Sequence, residues 1–125
     1  MITEPAELLK RLIEGLRLLA ADYEIQAAVL PNSVHKPDEV AMTFGELFLL
    51  GEHILRAGLI DDDTYKRLRE LNALLDRMSD RKELWTMDGL RKRLEWTEVR
   101  HMARDLLRRL GMPVTRPNLY WIEWE

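Results

Sequence analysis

Between Leu8 and Tyr23 apolar residues recur at steps of three and four. Leu8, Leu9, Leu12, Ile13, Leu16, Leu19, Ala20 and Tyr23 fall on one face of a helix. Nothing else constrains the fold as strongly. A stripe this long has to be buried against other apolar faces, and the chain supplies three more at the same period. One is Val40, Ala41, Phe44, Leu47, Phe48, Gly51, Ile54 and Leu55. Another is Tyr65, Leu68, Leu71, Leu75 and Met78. The last is Val99, Met102, Ala103, Leu106, Leu107 and Leu110.

Local signals place the boundaries. Thr3 is expected to cap the first helix, with Pro5 in its first turn, where a missing amide hydrogen costs little. That pattern extends toward Leu30, where Pro31 ends it. Residues 31–37 are a loop bounded by prolines. Asp38 and Glu39 open the second helix with acids at its positive end, and Gly58 closes it, with Leu59 available for the apolar contact that follows such caps. Gly51 on the buried stripe signals close helix contact. Asp61, Asp62 and Asp63 open the third helix, which runs to Met78. Asp80 and Glu83 have capping-box spacing ahead of a short turn at Leu84 and Trp85. Thr86 caps a short helix bearing Leu90 and Leu94. Thr97 caps the last long helix, ended by Gly111 and Pro113. The expectation is one all-α domain over residues 1–125: an irregular bundle of four main helices plus one or two short ones, with an extended C-terminal tail packed on it.

That tail, residues 118–125, is the least helix-like stretch. Tyr120, Trp121 and Trp124 lie within it, out of four tryptophans and three tyrosines in the whole chain. An apolar strip at a terminus must cover the protein's own core, a second copy or a partner, and Trp and Tyr are favoured interface anchors.

The formal charge of −3 hides an asymmetry: residues 1–65 carry 12 acids and 5 bases, residues 66–125 carry 10 acids and 14 bases. The halves attract each other, or the acidic half faces a basic partner. An overall pI near 5.7 argues against nucleic-acid binding. The strip Arg100, Arg104 and Arg108 has no interleaved aromatics for base stacking, and intramolecular roles are expected for it. No cysteine is present, so disulfides, thiolate metal sites and cysteine nucleophiles are excluded, and a cytoplasmic protein is the natural fit. Charges from Glu4 to Arg17 interrupt any signal-peptide core, and no uncharged run is long enough for a membrane helix.

Reaction chemistry finds little support. Ser33 and Ser79 lie in no nucleophile elbow, and the six glycines form no phosphate-cradling loop. Asp61–Asp63 lacks the spaced acids, central glycine and terminal glutamate of a calcium loop. Glu98 and His101 have the i,i+3 spacing of helical carboxylate–histidine metal sites, but no second pair accompanies them. The reading is a non-enzymatic domain without cofactor that binds another protein, in the manner of a small bacterial immunity protein or antitoxin blocking a partner. The partner-binding residues expected are Glu39, Asp61, Asp62, Asp63, Tyr120, Trp121 and Trp124. A homodimeric adaptor and a metal-dependent enzyme using Glu98 and His101 are the alternatives.

Overall fold

The structure, a computed structural model, describes residues 4–124. Thr3, the expected first cap, and Glu125, the last residue of the tail, lie outside them. The described chain is all helix and loop: α1 (Pro5–Ala20), α2 (Tyr23–Val29), α3 (Lys36–Phe48), α4 (Gly51–Arg56), α5 (Asp62–Met78), a 3-10 turn (Lys82–Leu84), α6 (Met87–Lys92) and α7 (Leu94–Arg109).

The four long helices close into a ring in which α1 packs on α3 and α7, and α5 packs on the same two from the other side. Helix α5 runs antiparallel to both neighbours. Tyr65 near its start stacks on Phe48 at the end of α3, and Asp63 pairs with Arg109 at the end of α7. One continuous core fills the ring, with Leu12, Leu16, Phe44, Leu68, Leu71, Val99 and Leu107 fully buried. Helix α1 is buried over more than one stripe. Leu18 is fully buried, Glu14 and Gly15 are buried, while Leu9 and Ile13 are only half-buried. Two flanking helices and the tail enclose it, so its burial does not follow the single face read from its period.

Both longest expected helices are in fact broken. The first ends at Ala20 instead of continuing toward Leu30, although neither proline nor glycine stands at the break. The freed carbonyls are captured by distant side chains. Gln26 Nε2 donates to the carbonyls of Leu18 and Leu19 at 3.0 and 3.3 Å. Arg104 Nε donates to Ala20 O at 2.9 Å, and Arg100 Nε to Ala21 O at 3.1 Å. The second breaks at Leu49–Leu50, and Gly51 begins α4 beneath the Tyr65 ring, where an added Cβ would lie 3.0 Å from the ring edge. Gly58, at φ 76°, closes α4 as expected. Its N–H and that of Leu59 donate to the carbonyls of Leu55 and Ile54. The buried residue that follows is Ile60, however, and Leu59 is exposed.

The region after α5 differs in detail from its sequence reading. No Asp80–Glu83 capping box forms; Arg81 stands at the cap of the 3-10 turn without a side-chain cap. Thr86 does cap α6, its Oγ1 accepting from Gly89 N–H at 2.9 Å. Thr97 is not a cap. Arg93, in extended conformation, ends α6 and starts α7, and this puts Leu94 at the start of α7 instead of on the short helix, in solvent at 80% exposure. Trp96 takes the buried position. Its Nε1 donates to Leu84 O at 2.7 Å, and its ring meets Trp85 edge-on at 5.3 Å.

The tail packs on the bundle, running back along α1. Arg17 Nε donates to Pro113 O at 3.2 Å, Asn118 N–H to Glu14 Oε1 at 2.9 Å, and Tyr120 Oη to Glu7 Oε2 at 2.5 Å. Lys10 lies over the Tyr120 ring and Arg11 over that of Trp121. Trp121 and Trp124 are half-buried against the core.

Candidate docking groove

Because α3 and α5 are antiparallel, the start of α3 lies beside the end of α5. The chain there turns through Ser79 and the 3-10 segment. Between these elements is an open cavity of 540 Å³, walled on one side by His35, Asp38, Ala41 and Met42 and on the other by Ser79, Lys82 and Trp85. A second hollow of 300 Å³ continues past His35 toward Met87, along Asn32, Val34, Lys36 and Pro37. Together they form a groove across one end of the bundle.

Each wall has a local cause. Pro37 stands in the first turn of α3, where its ring costs no hydrogen bond, and it packs inward. Trp85 is held at two points: its Nε1 donates to Met78 O at 2.8 Å, and its ring rests on Trp96. This wall is rigid. Met42 on the other wall, 49% exposed, and Met87 in the second hollow, 36% exposed, are adaptable, since methionine is unbranched and polarisable.

The polar groups at the mouth do not assemble into a reaction centre. His35 Nδ1 meets Asp38 Oδ2 at 2.9 Å, both side chains largely in solvent. The hydroxyl of Ser79 donates to Asp76 O at 2.6 Å, and among the described residues no serine–histidine hydrogen bond forms. What distinguishes the groove is the charge beside it. On the outer face of α3, Asp38, Glu39 and Glu46 flank Met42 and the exposed Leu49 at helical spacing. Among the described residues no ion pair reaches Glu39 or Glu46. Burial, with like charge from Glu46 and Asp38, holds the Glu39 carboxyl above the usual carboxylate range.

The residues singled out from the sequence fall on three separate supports. Glu39 lies on α3 near the groove. Asp61–Asp63 begin α5, and seventeen residues of helix, about 25 Å, separate them from its Ser79 end. Two of these acids have partners within the chain. Asp61 Oδ1 caps α5 by accepting from Thr64 N–H at 2.7 Å, and hydrogen bonding to Thr64 holds its carboxyl below the usual range. Asp63 pairs with Arg67 at 3.3 Å and with Arg109 at 2.5 Å. Asp62 is exposed. Tyr120 and Trp121 lie along α1, and Trp124 packs against the core.

The arginine strip is largely absorbed by the fold. Arg100 also donates to Gln26 Oε1 and Leu90 O, Arg104 pairs with Asp22, and Arg108 pairs with Asp105. Among the described residues three ion pairs, Arg67–Asp63, Arg104–Asp22 and Arg109–Asp63, join the basic half to the acidic half directly. Glu98 and His101 are exposed on α7, and among the described residues no three His, Asp or Glu side chains converge as a metal site would need.

Sequence reading missed Ala41, Met42 and Met87 as surface features and placed Trp85 only in a short turn. The available signal was Met42, whose position falls off the apolar stripe of its helix. Comparison of this chain with protein-family models, with curated proteins and with solved structures finds no match.

Proposed function

We propose that this protein is a non-catalytic protein-binding domain of the immunity or antitoxin kind, which occupies a partner protein and blocks it. The observation that carries this reading is the open apolar groove at Met42 and Trp85, bordered by Glu39 and Glu46 of α3, which no ion pair reaches among the described residues. A half-exposed methionine facing a fixed tryptophan offers area for an apolar anchor, and unpaired charge beside it steers and orients an oppositely charged partner. The small size of the domain and the acidic balance of its first half support the same reading.

The test is co-expression with the product of the adjacent gene. A complex that survives size exclusion, together with suppression of that product's toxicity, is the expected result. Free elution of both proteins with undiminished toxicity overturns it. Light scattering of the chain alone separates a homodimeric adaptor, which would show twice the 14.8 kDa chain mass.

A further inference from the structure

The groove and the acidic face of α3 are contiguous, and together they describe an occupant. We infer that a basic amphipathic helix of the partner lies along α3, seating an apolar side chain between Met42 and Trp85 and setting its lysines or arginines against Glu39 and Glu46. This rests on the protein-binding reading above and names the chemistry of the partner at that site.

Three features favour a helix over a small molecule. The cavity is open and continues past His35 toward Met87, so it is elongated. A small-molecule site concentrates polar groups inside a concave pocket. Here the unpaired acids instead lie outside it, along a helix. Glu39 and Glu46 are seven residues apart, about 10 Å along the axis, which matches one two-turn repeat of a partner helix. Met42 lies between them in sequence, so an apolar anchor and its flanking bases arrive together, as in helix-in-groove recognition.

The groove is also polarised. Lys82 stands on the wall opposite α3, and no described acid pairs with it. A base on that side of the incoming helix would meet like charge. The bases therefore belong on the α3 side, which fixes how the helix is rotated about its axis. The raised proton affinity of Glu39 agrees with this arrangement, since an incoming cation relieves the crowding from Glu46 and Asp38.

The probe is a synthetic helical peptide with leucine or tryptophan at i, i+3, i+4 and i+7 and lysines along one flank. A control peptide replaces every lysine with glutamate. Amide chemical shifts on titration should change at Ala41, Met42 and Trp85 for the lysine peptide. The double variant Glu39→Gln/Glu46→Gln should weaken it about tenfold, as two lost charge pairs would. Met42→Arg should abolish it. Met42 and Glu46 are exposed and Glu39 is half-buried, and far-UV circular dichroism verifies folding. Equal binding of the glutamate peptide, shifts centred on Asp61–Asp63 or on the tail, or equal occupancy by free indole each overturn the inference. The natural complex separates the two levels. If it forms with wild type and persists with Met42→Arg and Glu39→Gln/Glu46→Gln, the docking geometry is wrong and the function stands. If wild type forms no complex, the function itself fails.

Discussion

Asn118 donates its backbone N–H to the Glu14 carboxylate at 2.9 Å, across 104 residues of sequence. The same carboxylate holds Arg17 at 2.5 Å, and Glu14 is only 8% exposed. The pair therefore ties an irregular tail to the centre of α1 at a buried charge. Glu14→Ala leaves a guanidinium and an N–H without their acceptor, and should cost about 2–3 kcal/mol in urea unfolding. Deleting residues 118–125 should cost about 3 kcal/mol, since two half-buried indoles leave the core surface. Unfolding curves that superimpose on wild type would show that the tail contributes nothing to the fold.

Arg100 should be more important to stability than its charge suggests. Its guanidinium donates to Ala21 O, Gln26 Oε1 and Leu90 O, fastening α7 to the α1–α2 break and to α6. Arg100→Ala should destabilise by about 2–4 kcal/mol, because three acceptors lose a partner. Arg100→Lys should recover little, as an ammonium cannot reproduce the planar fork. A lysine variant as stable as wild type would contradict this account.

Thr43 is 5% exposed and its Oγ1 has no hydrogen-bond partner among the described residues. Thr43→Val preserves the shape and removes the unsatisfied oxygen, so it should stabilise by about 1 kcal/mol. The denaturation midpoint should rise at constant slope.

Glu39 gives a pH dependence whose sign is set by its raised proton affinity in the fold. Its stabilising contribution is present when it is protonated, below its unfolded value, and is lost as pH rises through the folded one. At neutral pH the ionised form therefore costs stability. Glu39→Gln should be more stable than wild type at pH 7, and the difference should vanish in acid. Thermal melts of both proteins from pH 3 to 7 measure it; a constant difference would remove the burial argument.

Gly89 and Gly45 should respond in opposite directions to alanine. A Cβ at Gly89 would collide with the carbonyl oxygen of Glu83, and lies 2.9 Å from that of Leu84; at Gly45 nothing stands within 4 Å. Gly89→Ala should cost about 1–3 kcal/mol by forcing the backbone apart. Gly45→Ala should gain about 0.5–1 kcal/mol by stiffening the unfolded chain. Midpoints shifting the same way would refute the close approach at Gly89.

Helical class and the four long segments followed from apolar period alone, because a stripe of leucines three and four apart is buried wherever its partner helices lie. The α5 cap at Asp61, the α6 cap at Thr86 and the Gly58 terminus were equally legible, since the groups that satisfy each lie within a few residues. Tertiary structure decided what depends on groups far apart in the chain. The break after Ala20 has no local breaker; Arg100 and Arg104, some eighty residues later, satisfy the carbonyls it frees. Leu94 is exposed because Arg93 ends one helix and begins the next, shifting the face that follows. The groove exists only because α3 and α5 run antiparallel, bringing Met42 opposite Trp85. Periodicity reports which side of a helix is apolar; which neighbour covers it, and where none does, is set by how the helices cross.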